Sequence, residues 1–523
     1  MRARSLLAVL AVAALGLTAC GGSSEGTSDK SLTMVLGADP GNLDPHFTSL
    51  SVTYQVDSFL YDSLVNIDKN GKLVPGLAQK WKGSTTKATF TLRKGVTCSD
   101  GTSLTASTVA QNINFVGDPK NKSSRIGVFV PPGAKATAND KARTVTVTVP
   151  SPDAFLARSV GRLQIVCKKG MKDRSMLKRG ADGTGMFTLT DAVPGDHYTL
   201  TRRTDYAWGP HGSGDDEAAL PDTLVLKVVT NEATSANLML SGGANIARFV
   251  GPDQKRLKTQ GLFERDNAQP TGVLWFNEAS GHPGADESVR RALTQALDLD
   301  QAGKAITSGT GQTSKGMVAP GLGPCDADLV SGNLPEHDVA TAKSALDAAG
   351  WKPGPDGIRV KDGTKLSLRF YYPTSYGPTM EAGAELLRQQ WKAIGADVTL
   401  KGMSDTQAGT VILGGKGSWD ATLLPFGITL PSQIAPFVSG PTPPDGQNFA
   451  SIENAGYTQH VKKASSMAGT AGCSEWGQAE QSLYKHVDLV VFVDSVSPTF
   501  GKGATFELSA GSVDPTSIRV STG

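Results

Sequence analysis

Leu366-Ser367-Leu368-Arg369-Phe370-Tyr371 alternates apolar and polar side chains with the period of a half-buried strand. Beyond it the period changes. Leu387, Trp391 and Ile394 fall on one face of a helix, Gly395 stops it, and Val398-Thr399-Leu400 opens another strand. Strand, helix and strand in this order read as a parallel pair joined by a crossover helix, the repeating unit of an α/β sheet.

The same alternation extends toward the N-terminus. Val273-Leu274-Trp275-Phe276 reads as a short apolar strand. Asp286 opens a helix with Val289, Ala292, Leu293, Ala296 and Leu297 on one stripe. Asp338 caps another helix, with Ala342, Ala345, Leu346 and Ala349 inward and Gly350 as its stop. In the first half, Ser31 to Leu36 is a strand ended by Gly37-Ala38-Asp39-Pro40-Gly41, and Tyr54 to Val65 carries helix-like apolar spacing. Ala88 to Leu92, Arg143 to Val149 and Leu224 to Val229 read as strands. Thr105 is placed to cap a helix bearing Val109, Ile113 and Val116. The expected fold class is α/β.

The extreme N-terminus predicts export. Arg2 and Arg4 precede an apolar run from Leu6 to Ala19, ending in Leu17-Thr18-Ala19-Cys20. A charged start, a short apolar segment and small residues before a cleavage point form a secretory signal, and the run is shorter than the ~20 apolar residues that span a bilayer. Leu-Thr-Ala-Cys resembles a bacterial lipobox, whose cysteine becomes the lipidated N-terminus. Residues 1–20 are therefore expected to be the signal and residues 21–30, rich in Gly and Ser, a flexible tether. The body would be exported and held at the outer side of the cell membrane.

The 523-residue chain leaves room for two or three domains behind this signal. Its formal charge of +2 falls to zero without Arg2 and Arg4. No stretch clusters Lys and Arg, which argues against nucleic-acid binding. Setting Cys20 aside leaves Cys98, Cys167, Cys325 and Cys473. An even number in an exported protein favours disulfides, and three connectivities are open. Their wide spacing does not suit a zinc motif.

Catalytic signatures fail on context. Gly22-Ser23-Ser24-Glu25-Gly26 has the pattern of a nucleophile elbow but lies in the tether, without the strand-to-helix turn that motif needs. Gly414-Gly415-Lys416-Gly417-Ser418 lacks the first glycine of a phosphate-binding loop and has Gly417 where Ser or Thr would coordinate magnesium. The seven histidines are scattered without ligand spacing, so neither metal nor cofactor is expected. Scattered carboxylates leave a glycosidase-type pair open, but no motif argues for an enzyme.

Several segments, in order, resemble the extracellular solute-binding proteins of ABC importers, in the peptide/nickel-binding class. They are Leu43-Asp44-Pro45, Tyr61-Asp62-Ser63-Leu64-Val65, Leu73-Val74-Pro75-Gly76-Leu77-Ala78 with Trp81, and Phe90-Thr91-Leu92-Arg93-Lys94-Gly95-Val96-Thr97-Cys98-Ser99-Asp100-Gly101-Thr102. Gly183-Thr184-Gly185-Met186-Phe187, Arg202 to Trp208, and Phe276-Asn277 followed by Val289-Arg290-Arg291-Ala292-Leu293 continue the series. The resemblance implies a two-lobe clamp of the periplasmic-binding-protein type. Residues 31–265 plus 488–523 would form the first lobe, with an extra subdomain at about 75–180, and residues 266–487 the second. It further implies a monomer that traps a peptide-like or other polar solute and delivers it to permease subunits. The alternatives are a glycan or metal chelate in the same clamp, or a surface-tethered hydrolase.

Within that resemblance, Tyr54, Trp275, Asn277, Met403, Trp419, Phe426 and Thr429 are the expected ligand-binding residues, aromatic walls with a few polar groups. Thr429 stands where peptide-binding members carry a carboxylate that pairs with the ligand ammonium, and a hydroxyl cannot supply that charge. The solute is therefore expected to be neutral at that end. Cys98 replaces the usual aromatic. The lobe assignment implies disulfides Cys98–Cys167 and Cys325–Cys473, each inside one lobe.

Overall fold

The computed structural model describes residues 30–48, 50–209 and 219–521, so the expected signal, the expected tether and Cys20 fall outside the described residues. Two long antiparallel strands, Phe263–Phe276 and Leu489–Gly501, form the spine. They pair from Phe263 opposite Gly501 to Trp275 opposite Leu489. At one end the sheet continues through Ile246–Arg248, Ser31–Leu36, Thr223–Val228, His197–Arg202 and Phe187–Val193. At the other it continues through Ala421–Leu423, Ser367–Pro373 and Asp397–Met403. Each end packs its own helices, giving two lobes threaded by one sheet of mixed α/β architecture.

Midway along the spine the register shifts between Pro270 and Gly272 and again at Val273. Pro270 has no N–H for the ladder, and a Cβ on Gly272 would lie 2.5 Å from Val493 and 2.7 Å from Phe492. The irregularity falls where the spine passes from one lobe to the other. The Thr271 and Ser495 hydroxyls bridge it at 2.7 Å.

In the second lobe, Ser367–Pro373 and Asp397–Met403 pair in parallel, and the helix Gly377–Ala393 crosses between them. Trp391 fixes that helix. Its ring lies 4.9 Å from Phe370, and its Nε1 donates to the Leu293 carbonyl at 2.9 Å. One side chain thus pins the crossover both to the sheet and to the helix Glu287–Gln295. Asp286 and Asp338 cap their helices, accepting the amides of Ser288 and Thr341. The Cys325–Cys473 disulfide fastens a loop to the first residue of the helix Cys473–Lys485.

The first lobe carries an additional antiparallel sheet in the order Ala78–Gly83, Lys87–Leu92, Thr144–Thr148 and Lys135–Asn139. The helix Ala106–Gly117 packs on it, capped by Thr105, which accepts the Thr108 amide. The buried residues of this unit are continuous with those of the main first-lobe sheet. A disulfide joins Cys98 to Cys167.

Two local expectations change. The apolar spacing over Tyr54–Val65 becomes a helix only over Ser51–Leu60, after which Tyr61 is extended and Val65–Ile67 is a strand. The cause is tertiary: the segment around Gly183 and Gly185 crosses there, and the Gly185 amide donates to the Leu60 carbonyl at 3.0 Å. A Cβ on Gly185 would approach the Phe59 carbonyl oxygen to 2.4 Å. The short strand Val273–Phe276 is the apolar end of a fourteen-residue strand. Its first half, Phe263 to Gln269, has no apolar alternation and is held by main-chain pairing to Ser495–Gly501.

Candidate functional site

A cavity of about 780 Å³ lies between the lobes. Ile126, Val128, Phe129, Pro131 and Asp153 form its first-lobe wall. Phe426, Ile428, Leu430, Phe437 and Trp476 form the facing wall from the second lobe. Its size lies within the ~300–1,000 Å³ of small-molecule sites.

Each wall is held by local chemistry. After the strand Ala421–Leu423, the chain bridges Val318 at Ile428, and the Ala319 amide donates to the Ile428 carbonyl at 2.8 Å. Gln433 Oε1 then accepts the amides of Thr429 at 2.9 Å and Leu430 at 3.1 Å, closing a tight turn. Phe426 packs edge-on against Trp275 at 5.8 Å and Phe437 at 4.6 Å. On the opposite wall, the Asp153 amide donates to the Thr85 carbonyl at 2.7 Å, and Asp153 Oδ1 accepts the Phe155 amide at 2.8 Å. Burial pushes the Asp153 carboxyl above its ordinary pKa, against the pull of that bond.

The lobes touch beside the cavity. Phe155 meets Trp476 with ring centroids 6.1 Å apart, and the Gly469 amide donates to the Ala154 carbonyl at 2.7 Å. Arg158 donates from Nη1 to the Gly71 carbonyl at 2.8 Å and from Nη2, across the gap, to the Leu322 carbonyl at 2.7 Å. These contacts join the two walls at the edge of the cavity.

Of the seven expected ligand residues, Phe426 lines this cavity. Thr429 sits in the adjoining turn, where its hydroxyl leans on Gln433 at 3.4 Å. Trp275, Met403 and Trp419 are buried in the second-lobe core behind the cavity wall. The Trp275 Nε1 donates to the Leu424 carbonyl at 3.0 Å. Asn277 is buried, donating to the Trp419 carbonyl at 2.9 Å and accepting the Ala279 amide. Tyr54 belongs to the first lobe, half-buried, with its hydroxyl accepting from Arg162 at 3.1 Å. The structure thus brings Phe426, Thr429 and Trp275 together and holds the other four apart from the cavity.

Two carboxylates near the expected site are already saturated. Burial pulls the Asp420 pKa up, but bonds from the Arg369 side chain and amide and from His282 outweigh it and hold the carboxyl low. Asp44 is paired with Arg174, whose Nε donates to Oδ2 at 2.9 Å. Sequence reasoning missed Phe129, Asp153, Phe437 and Trp476. The Pro150-Ser151-Pro152-Asp153 break was the one local signal of a loop there. Among the described residues no three His, Cys, Asp or Glu side chains are grouped to hold a metal ion, and no helix is long and apolar enough to cross a membrane.

Residues 72–442 match the bacterial extracellular solute-binding proteins, family 5 Middle. The chain belongs to this family. Family 5 solute-binding proteins serve ABC importers. The chain is 30% identical over 393 residues to protein XP55 of Streptomyces lividans, covering 71% of this chain and 67% of that one. It is 25% identical over 395 residues to the dipeptide-binding protein DppE of Bacillus subtilis strain 168, covering 70% and 68%. A substrate-binding protein of Microbacterium hydrocarbonoxydans, solved in complex with 4-hydroxybenzoate hydrazide, superposes with a TM-score of 0.71 at 26% identity. That superposition covers 94% of this chain and all of the other. DppE and the Microbacterium protein are binding proteins by name, and this family 5 protein shares the fold of the latter, a mixed α/β architecture.

Proposed function

We propose that this family 5 protein captures a solute between its two lobes and hands it to the permease of an ABC importer, without catalysis. The interlobe cavity carries the proposal, because its two walls come from different lobes. A ligand there contacts both walls only in the closed state, so its binding energy shifts the open–closed equilibrium. Phe426 is the proposed direct contact, with Trp275 and Thr429 supporting its wall. Tyr54, Asn277, Met403 and Trp419 support the lobes around it. The first lobe is taken as residues 31–265 with 488–523, and the second as 266–487.

The family sets the clamp rather than the cargo. The ligands named for the relatives include a dipeptide and an aromatic hydrazide, which keeps peptide-like and non-peptide solutes as two readings of one site. The body works as a monomer outside the membrane, anchored by lipid at Cys20 through residues 21–30.

Native mass spectrometry of protein purified without refolding should show a co-purifying small molecule. X-ray scattering should show expansion when it is stripped and compaction when it is restored. A stripped protein whose scattering does not respond to the extracted molecule would contradict the clamp reading.

A further inference from the structure

The charge of the cavity wall is one-sided. None of its lining residues is Lys, Arg or His, and Asp153 is its single charged residue. Two arginines stand behind the first-lobe wall, Arg125 and Arg162, with guanidinium carbons 5.4 and 5.7 Å from the Phe129 ring centre, but neither lines the cavity. Arg125 donates to the Pro45 carbonyl, Arg162 to the Tyr54 hydroxyl, and Arg158 to the Gly71 and Leu322 carbonyls. The remaining polar groups are neutral, and Gln433 spends its carbonyl oxygen on the Thr429 and Leu430 amides. Asp153 uses Oδ1 for the Phe155 amide, and among the described residues no hydrogen-bond donor is recorded at Oδ2. The rest of the wall is aromatic or aliphatic, with Phe426, Phe437 and Trp476 facing Phe129.

We propose that the cleft selects a non-anionic, mainly apolar or aromatic solute whose amine or other donor group is held by Asp153. This rests on the solute-binding reading above. A ligand carboxylate closed between these walls would face the Asp153 charge and find no cation among the lining residues, with Arg125 and Arg162 screened behind the Phe129 ring, an unfavourable burial. A ligand ammonium gains a charge-assisted bond there, while its rings fill the aromatic wall. The anion missing from the Thr429 turn is supplied by the opposite lobe. An amine resting on Phe426 therefore completes its ion pair only when the first lobe closes, which couples recognition to closure.

The test uses matched triples on one carbon skeleton: phenylpropionate, phenylpropionamide and phenylpropylamine, with their naphthyl homologues. Each is titrated by calorimetry into the stripped full chain, with scattering recorded at saturation. The amide and the amine should bind and compact the protein, with the acid weaker by about tenfold or more. Asp153→Asn, which keeps an acceptor for the Phe155 amide, should erase the advantage of the amine over the amide and leave amide binding in place. Phe426→Ala should weaken amide and amine alike. Acid binding as tight as amine binding, an amine advantage that survives Asp153→Asn, or no binding by any member would overturn the proposal. Compaction by the acid would overturn it while leaving the clamp standing; amine binding without compaction would instead sink the clamp reading.

Discussion

Arg158→Ala isolates the closing contact. Arg158 is 5% exposed, and burial lowers its guanidinium pKa to about 10, so it stays charged at neutral pH. Its bond to the Gly71 carbonyl lies within the first lobe and is expected to be independent of opening. Its bond to the Leu322 carbonyl joins the first lobe to the second, and in the clamp reading it is expected to break on opening. Hydrogen bonds from a charged donor contribute about 1.5–3 kcal/mol. Losing about 2 kcal/mol from the closed state alone corresponds to a shift of about 30-fold toward the open form. Because the solute binds the closed form, apparent affinity should fall by up to that factor. Loss of the Gly71 bond lowers overall stability separately, and appears as a lower melting temperature. Scattering on the stripped variant well below its melting temperature should show a larger radius of gyration, and calorimetry with the extracted solute a weaker Kd. An unchanged radius together with a Kd within about twofold of wild type would refute the assignment of this contact as a latch.

Replacing Cys325 and Cys473 by Ser opens a closed segment of 148 residues. The chain-entropy account gives a loss of about 5 kcal/mol, which calorimetric unfolding should detect as a lower melting temperature. Asp62 is partly buried, and loss of solvent around it raises its pKa to about 6 against the bonds donated by Trp208, Tyr206 and Thr184. The folded form holds that proton more tightly than the unfolded chain, so stability falls as pH rises from about 4 to about 6. The two-unit shift is worth on the order of 3 kcal/mol. Asp62→Asn cannot ionise and should gain on wild type over that interval in denaturant titrations, and parallel curves would argue against it. Gly185→Ala places a Cβ 2.4 Å from the Phe59 carbonyl oxygen, and should cost about 1–3 kcal/mol by overpacking, read as a reduced melting temperature. Cys20→Ala should appear in the soluble fraction or as uncleaved precursor; a mature-sized species still in the membrane fraction would contradict the lipid anchor.

Local pattern was enough for much of the second lobe. Leu387, Trp391 and Ile394 mark a buried helical face whatever lies opposite, because helix period and strand period impose different spacings on the chain. The caps at Thr105, Asp286 and Asp338 are equally local, since a side-chain oxygen meets an amide two or three residues away. The order of family motifs also belongs to the sequence alone.

The end of the first helix at Leu60 was decided by a segment more than a hundred residues later, through Gly183 and Gly185, and no local spacing records that approach. The polar half of the strand Phe263–Phe276 depends on main-chain bonds to a distant partner, which any side chain permits. The cavity was the least legible feature. Trp275, Trp419 and Phe426 have similar apolar character in the sequence, and only the packing of Phe449 and the second-lobe core separates buried support from exposed wall. Asp153 comes to line the cavity because the fold sets a loop of the first lobe against Phe426 and Trp476 of the second. Residue type and period are properties of neighbours along the chain. A site shared by two lobes is a property of neighbours across it.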